Sequence, residues 1–525
     1  MALSRASGVF RLARRTQWAA TRLLSSVAAA GEPPGGEDKP ARVVDLEALR
    51  RERALRPPAE RRQSAQTRKA TPEQLQLNAD IQACASAEAV LGLVSSRLAV
   101  FNEVNAATAL LIISRRVDKG KAASGVRGDA RFAQLLSAAG SLFAQMAPQE
   151  LSNALYACGQ LRITATGEWL QHYWHASVSK LGQFNPQELC NTLYACGHLG
   201  ITPPADWLER YWQVSASKLG EFKPQGLSNT LYACVPLGKT PPADWLELFW
   251  NASASKLDKM TPEGLSNTLY ACGQLGITPP ADWLQSCWDA SGPKLGKSKP
   301  QLLNTIPHAC GRLGITPPAD WMQRYWAVSL KKMDQLTPQS YLTTMRACLM
   351  LRMSPPDAWM QRYWDVTSPQ LGQYGTRTLS SAMFLCGKLG IVPSADWMQS
   401  YWHASTSKLG KMKPESLSRA VVQCEQLGVK PPDDWMQRFW DVSIPQLDTF
   451  RPHQFMVSWR AFETLQIEPH AAWASRYKLN EQKSKETELS GAGSGDEGSG
   501  DDGDAAQSDA EDEFDGKGGG RRGQR

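Results

Sequence analysis

The chain repeats one pattern of apolar and polar positions at a step of 38 residues. In one copy, Leu189, Leu193 and Cys196 follow one another at i, i+4 and i+7, which places them on one face of a helix. An Asn-Pro-Gln-Glu run at 185–188 precedes them and carries a capping side chain, a first-turn proline and an acid three residues after the cap. Since Gly200 fits a helix end, the pattern predicts a first helix between these signals.

A second amphipathic segment follows in the same copy. Asp206 comes directly after a proline-rich run at 202–205, which predicts a helix start with proline in its first turn and an acid near the positive end of the dipole. Trp207 and Tyr211 lie on one face of this second helix, and Trp212 lies on another. A helix with two apolar faces must be packed on both sides. The unit is therefore predicted to be a helical hairpin within a stack.

Columns of tryptophan and cysteine mark the copies. One tryptophan column, at a step of 38 residues, comprises Trp169, Trp207, Trp245, Trp283, Trp321, Trp359, Trp397, Trp435 and Trp473. A second tryptophan column runs from Trp174 to Trp440, and a cysteine column runs from Cys158 to Cys424. Equal copies at this period predict an all-α fold, an α-solenoid of about nine 38-residue helix-turn-helix repeats with disordered termini.

The tryptophans and cysteines have structural interpretations and alternatives. We interpret the tryptophans as packing between repeats, with a ligand cage as the alternative. The cysteines recur once per repeat, about 10 Å apart in a helical stack, which is too far for disulfides. No Cys-x-x-Cys pair occurs, which argues against a zinc site and favours small buried side chains in a reducing compartment.

Composition divides the chain into five segments. Residues 1–31 carry five arginines and no acid, which is typical of an organellar transit peptide, and residues 32–71 form a charged disordered linker. Residues 72–147 have helical patterns without the tryptophan marks and are interpreted as divergent repeats or a cap. The nine repeats span 148–479. Residues 480–525 are an acidic Gly/Ser-rich tail predicted to be disordered, and 496–515 hold ten acids and no base.

The organelle is not fixed by the leader. The run at 22–26 resembles a mitochondrial cleavage site, and Val27, Ala28 and Ala29 resemble a chloroplast one. The mitochondrial matrix is slightly favoured over the chloroplast stroma. A disordered basic arm on a cytosolic protein is the remaining alternative.

A polar stripe lies opposite the Leu/Cys face of each first helix. It occupies i, i+4, i+7 and i+11, as in Gln187, Asn191, Tyr194 and His198, and we call these stripe positions 1 to 4. The stripe changes from copy to copy while the apolar positions largely persist. The candidate RNA-binding residues are Asn153, Tyr156, Asn191, Tyr194, His198, Asn229, Tyr232, Asn267, Tyr270, Gln274, His308, Arg312, Arg346, Lys388 and Arg419.

Amides, aromatic rings and arginines are the groups that recognise single-stranded RNA. We expect bases to stack on Tyr194, Tyr232 and Tyr270. Asn191, Asn229 and Asn267 would read base edges, and the later basic residues would contact phosphates or stack. A changing stripe also suits a protein ligand or drift on a solvated face. The aromatic position has packing against the next repeat as its alternative, and the asparagines have solvated or capping roles.

The Pro-Pro-x-x-Trp frame before the second helix is specific in combination with the period. It occurs at 203–207, 241–245, 279–283, 317–321, 355–359 and 431–435. The chain thus resembles, over 148–479, the octotricopeptide repeat proteins of green-algal organelles, which are related to the FAST-kinase-like and RAP-domain RNA-binding proteins. The units of Trp169, Trp397 and Trp473 depart from the frame, so we expect them to cap or bind poorly.

This resemblance implies sequence-specific binding of organellar transcripts, with roles in RNA stability, processing, splicing or translation. It also allows ribonucleoprotein proteins as further partners. Some relatives end in a RAP domain suspected of nuclease-like activity, but the acidic tail here leaves no room for one, so no cleavage is expected. The alternative is a helical-repeat scaffold for protein–protein interaction in an organelle.

No set of residues indicates catalysis. The seven histidines are scattered, and no phosphate-cradling Gly-x-x-x-x-Gly-Lys run occurs. The repeat block at 149–478 has 30 basic and 25 acidic residues, so bulk charge alone does not indicate a nucleic-acid ligand. No apolar run is long enough to cross a membrane. We expect no enzyme activity, no cofactor or metal, and no small-molecule substrate.

Overall fold

A computed structural model describes residues 70–117 and 122–490 of the chain. Every regular element within these residues is helical, so the predicted all-α class is confirmed. The chain divides into two units, unit 1 up to Lys218 and unit 2 from Leu219.

Unit 1 contains nine α-helices within the described residues. They are α1 (Pro72–Ala83), α2 (Ala87–Arg97), α3 (Glu103–Arg116), α4 (Ala122–Arg127), α5 (Ala130–Leu142), α6 (Pro148–Leu161), α7 (Gly167–Val178), α8 (Pro186–Leu199) and α9 (Ala205–Ala216). The first helices α1, α3, α6 and α8 pack in that order, and the second helices α2, α5, α7 and α9 flank them. Residues 72–142 thus form helix pairs that extend the stack and lack its tryptophans.

Unit 2 continues the alternation of first and second helices. The first helices are α10 (Pro224–Leu237), α12 (Pro262–Leu275), α14 (Pro300–Leu303) with α15 (Thr305–Leu313), α17 (Pro338–Met350), α19 (Thr376–Leu389), α21 (Pro414–Leu427) and α23 (Pro452–Thr464). The second helices are α11 (Ala243–Ala254), α13 (Ala281–Ser291), α16 (Ala319–Lys331), α18 (Asp357–Thr367), α20 (Ala395–Thr406), α22 (Asp433–Ser443) and α24 (Ala471–Ser490). Each first helix packs on the next, as an α-solenoid requires.

Tryptophans join the second helices, which confirms their packing interpretation. The Trp283 ring is buried and meets Trp250 of the preceding repeat edge-on at 5.0 Å between centroids. Its Nε1 donates to Ser253 Oγ at 2.8 Å, and Trp435 donates to Ser405 Oγ at 2.9 Å. The hydroxyl satisfies the one polar atom of a buried indole, so the column packs without an orphaned donor.

First helices meet at small residues, and second helices meet through rings. A Cβ placed on Gly159 would lie 3.0 Å from the Cα of Ala195, and one on Gly273 would lie 3.1 Å from the Cα of Ala309. Such contacts leave no space for a side chain at these two glycine positions. The second helices, in contrast, have tryptophan rings between them.

A lysine column joins most repeats to the one before them, and the sequence pattern did not reveal this role; the copies with Gln370 and Gln446 lack the lysine. Lys256 Nζ donates to the carbonyl oxygens of Gly220 at 2.8 Å and Phe222 at 2.9 Å, in the 3₁₀ turn that precedes α10. Equivalent bonds are made by Lys180, Lys218, Lys294, Lys332 and Lys408. An ammonium has three donors, which suits a turn that presents several carbonyl groups.

The predicted helix ends are confirmed with one adjustment. Asn185 and Glu188 form a reciprocal capping box, and Gly200 adopts a left-handed φ of 64° after α8. Pro204, expected in the first turn of the second helix, is the residue before it. Arg352 takes the left-handed conformation with φ of 52° at the place where most copies have glycine.

Repeat 5 breaks its first helix. Pro307 has no N–H to donate to the Leu303 carbonyl, and its ring disfavours the helical conformation just before it. The chain therefore forms α14 and α15 with Asn304 between them. Asn304 Nδ2 then donates to the Ser340 carbonyl of the next first helix at 2.7 Å.

The terminal predictions lie mainly outside the described residues. This holds for the transit peptide at 1–31, for nearly all of the linker at 32–71 and for the tail beyond Ser490. Helix α24 continues through 480–490, where the sequence predicted the tail to begin, because this stretch holds Lys, Glu and Gln and no Gly or Pro. No helix in the described part is long and apolar enough to span a membrane.

Candidate nucleic-acid interface

The polar stripe runs across the first-helix layer, with a separate part in each unit. In unit 1 the stripe includes residues of α3, α6 and α8. In unit 2 it includes residues of the first helices from α10 to α23. Its four positions differ widely in exposure, which decides what each side chain can contact.

In unit 1, the asparagines are accessible and the tyrosines are packed to different depths. Asn153, Tyr156 and Asn191 are half-buried, and Gln187 Nε2 donates to Asn191 Oδ1 at 2.8 Å. Tyr194 is only 7% exposed, and its ring centroid lies 4.2 Å from that of His198. A base has no open face of Tyr194 to stack on. The stacking role expected for this ring is therefore replaced by packing.

Arg115 belongs to the unit 1 surface, and the sequence analysis missed it. It lies one residue before the end of α3, beside Tyr156 of the next first helix. Burial raises the pKa of Tyr156 to about 12, and the positive charge of Arg115 opposes that rise. The sequence signal for Arg115 is the Asn102 cap of α3. Arg115 follows Asn102 at the same spacing at which His198, at stripe position 4, follows the Asn185 cap.

In the first two repeats of unit 2 the stripe consists of amides and tyrosines. Tyr232 is 4% exposed, and its ring centroid lies 5.9 Å from that of Tyr270 on the neighbouring first helix. Tyr270 and Gln274 are half-buried, as is Asn229. Base stacking on Tyr232 is therefore also replaced by packing between repeats, whereas Tyr270 stays partly exposed.

Asn267 departs from its expected role, because its amide is covered. The residue is 4% exposed, and its Oδ1 has no hydrogen-bond partner within the described residues. Glu263, one turn earlier, is also buried and lies 3.7 Å from the Lys299 ammonium. A ligand reaches the Asn267 carbonyl only if this side chain turns. An unsatisfied buried acceptor costs about 1–3 kcal/mol, which a donor from a ligand would offset.

In repeats 5 and 6 the stripe becomes basic. Arg312 is exposed, and its Nε donates to the Gly273 carbonyl of the preceding first helix at 3.0 Å. His308, one turn earlier, lies near both Arg312 and Arg346. Burial, reinforced by the two arginine charges, lowers the pKa of His308 to about 4. The imidazole is therefore neutral at physiological pH, and the two guanidinium groups carry the local charge.

Cations continue through repeats 7 to 9. Lys388 is exposed, with its Nζ 5.8 Å from the Phe384 ring centroid. Arg419 pairs with Glu415 one turn earlier at 2.9 Å. Arg460, which the sequence analysis did not select, lies 3.5 Å from Glu425 of the preceding first helix and is 79% exposed in its side chain. Arg460 occupies stripe position 3 of the ninth copy, so the stripe pattern itself indicates this residue.

The structure therefore places the predicted residues on one face of the first-helix layer in each unit. It separates them into buried rings at Tyr194 and Tyr232, a covered amide at Asn267, and accessible amides and cations. This arrangement provides hydrogen-bond donors, acceptors and positive charge along the first-helix layer.

Two family models match residues that include the earlier part of the stripe. The model described as Tbc2 translation factor, C-terminal domain, matches residues 80–259, and the one described as Tbc2 translation factor, N-terminal domain, matches residues 205–333. The chain is similar to the Tbc2 translation factors. The two matches overlap and lie in the reverse order of their names. We therefore attribute both matches to the repeated helix pair.

Other comparisons add little. No curated protein matches the chain. Among solved structures, the chain is similar to the crystal structure of an engineered protein at 10% sequence identity, covering 74% of this chain and 93% of that one. The TM-score of 0.25 is too low for this likeness to support any argument.

Proposed function

We propose that the protein binds single-stranded RNA in an organelle and acts on transcripts there, as a repeat protein of the octotricopeptide type. The observation that carries the proposal is a polar stripe that varies between repeats while the helices presenting it stay the same. The similarity to the Tbc2 translation factors favours a role in translation over a role in RNA stability, processing or splicing. The proposal includes no catalytic step.

The accessible groups suggest how binding would occur. Asn191 and Asn229 would read base edges by hydrogen bonds, and Asn267 would join them once its side chain turns. Tyr156 and Tyr270, which are partly exposed, would contact bases. A varying residue at each copy gives each repeat its own preference, as in other helical-repeat proteins that read one base per repeat.

Selection of RNA from a random single-stranded pool by the full chain tests the proposal. We expect an enriched sequence that binds tightly, and we expect the same sequence in a duplex to compete poorly, because its base edges are paired. Recovery of no RNA above the level of an unrelated protein would remove the proposal and leave the protein-binding scaffold as the better function.

A matched pair of variants locates the binding surface. Replacing Asn191, Asn229 and Asn267 with alanine should weaken binding of the selected RNA at least about ten-fold, since each lost hydrogen bond costs about 1 kcal/mol. The control replaces three exposed second-helix amides, Gln213, Gln285 and Gln361, with alanine. Equal weakening by both triple variants would contradict the stripe as the binding surface.

The organellar location rests on the leader composition, and the mitochondrion is slightly favoured over the chloroplast. Import of the full-length chain into isolated mitochondria and chloroplasts, scored by protease protection, tests this part of the proposal. Protection in neither organelle would contradict it.

A further inference from the structure

The stripe of unit 2 changes its chemistry part-way along. The two first helices α10 and α12 present amides and tyrosines at positions 2 and 3. From repeat 5 onward every first helix carries at least one stripe cation, and these are Arg312, Arg346, Arg377, Lys388, Arg419 and Arg460. We call the stripe of α10 and α12 the amide section and the stripe from repeat 5 onward the basic section. The amide section contains one carboxylate, Glu263, which lies near Lys299.

We infer that the two sections divide the work of binding: the basic section holds the phosphates of a single strand without regard to sequence, and the amide section discriminates bases. This inference rests on the proposed function, and it assigns a ligand group to each section. Phosphate contacts position a nucleic acid but carry no sequence information, whereas amides recognise donor and acceptor patterns on base edges.

Arg312 and Arg346 give the first reason. Arg312 lies one turn after His308 on the same first helix and Arg346 lies on the next one, and both positive charges lower the pKa of His308. A phosphate is an anion rich in hydrogen-bond acceptors, which suits a place where two guanidinium groups accompany a neutral side chain. The bond from Arg312 Nε to the Gly273 carbonyl uses one of the five guanidinium donors, which leaves four for an oxygen-rich ligand.

The spacing of the remaining cations gives the second reason. Lys388, Arg419 and Arg460 lie on three successive first helices at stripe positions 4, 2 and 3. Their placement at different positions does not suit a repeated base-reading geometry, but it suits a flexible backbone that needs only nearby charge. The carboxylates Glu415 and Glu425 pair with two of these cations and moderate the charge of the section.

The salt dependence of RNA binding separates the two sections. For single strands, the slope of log affinity against log salt changes by roughly 0.7 for each phosphate contact. Arg312→Gln and Arg346→Gln should each reduce the slope by about this amount and weaken the selected and scrambled RNAs equally. Asn229→Ala with Asn267→Ala should keep the slope and reduce the ratio of affinities for selected over scrambled RNA.

Two further variants serve as controls. Arg324→Gln removes a cation from second helix α16, where the side chain is 55% exposed, and should leave the slope unchanged. Arg312→Lys keeps the charge and gives up the bond to Gly273, so it should retain most of the slope if charge is what matters. Circular dichroism of each variant shows whether the fold is retained.

The results distinguish this inference from the proposed function. If the wild-type chain binds no RNA, both fail. If it binds RNA and folded Arg312→Gln and Arg346→Gln keep the wild-type slope, only the division into sections is overturned. A change of sequence preference in these arginine variants would also overturn it, because the basic section would then read bases.

Discussion

At the residue scale, one substitution in the tyrosine column has an electrostatic consequence. Positions 156, 194, 232 and 270 are tyrosines whose rings pack between first helices, and the fifth copy places His308 there. A tyrosine is neutral in this environment, and burial raises the pKa of Tyr232 further. A histidine in the same place gains a proton on acidification, beside Arg312 and Arg346.

His308 should make folding sensitive to pH. Its pKa is about 4 in the folded protein, against about 6.5 in an unfolded chain. As the pH falls from 6.5 to 4, His308 is protonated in the unfolded state but not in the folded state. The free energy of unfolding therefore falls across this window. His308→Tyr restores the residue of the column and removes this proton uptake.

Denaturant unfolding followed by circular dichroism at pH 7 and pH 4.5 measures the effect. We expect the wild type to lose more stability between these pH values than His308→Tyr does. Since the other titrating groups are common to both proteins, their contributions cancel in the comparison. Equal losses in the two proteins would show that the His308 environment does not exclude the proton.

At the element scale, the sequence predicts the helix pairs because each helix carries its own local signals. These signals act within one copy: the Asn185 cap, the helix end at Gly200 and the two apolar faces of the second helix. The structure contains all of them. The tryptophan packing was also predictable, since a large ring at a fixed period must be buried against a neighbour.

Other features depend on neighbouring copies and were not predictable in this way. In the sequence, nothing distinguishes Lys256 and the lysines at equivalent positions from solvated surface charges. The fold brings each of them to the carbonyl groups of the 3₁₀ turn in the preceding repeat. The Pro307 break was hidden by the regular period around it. The burial of Tyr194, Tyr232 and Asn267 follows from the close approach of the first helices, which no single helix face indicates.

Trp283→Ala tests the role of the tryptophans in joining second helices. It removes a buried ring, the edge contact with Trp250 and the bond to Ser253, so we expect a local loss of about 3–5 kcal/mol. Hydrogen exchange should accelerate most in α11 and α13 and least in repeats far from them, because each repeat depends on its neighbours.

Ser253→Ala is the matched control for Trp283→Ala. It keeps the ring and orphans only the indole N–H, which costs about 1–3 kcal/mol. Its effect on exchange should therefore be smaller and confined to the same helices. If Trp283→Ala leaves exchange and proteolysis unchanged, the ring does not hold the repeats together.

At the scale of the whole molecule, each unit places its first helices in one layer and its second helices beside them. Small residues bring the first helices together, and tryptophans separate the second helices. The polar stripe lies on the first-helix layer of each unit. The sequence predicted which helix face carries the stripe. It did not predict which stripe residues are accessible, because exposure depends on how closely adjacent copies pack.

The central claim is that RNA binds along the first helices and not along the second helices. Ultraviolet crosslinking of the selected RNA to the full chain, followed by mass spectrometry of the crosslinked peptides, tests it directly. We predict crosslinks in peptides from α6, α8, α10, α12, α15 and α17, including residues near Tyr156, Tyr270 and Arg312. Crosslinks concentrated in second helices such as α11, α13 and α16 would contradict the account.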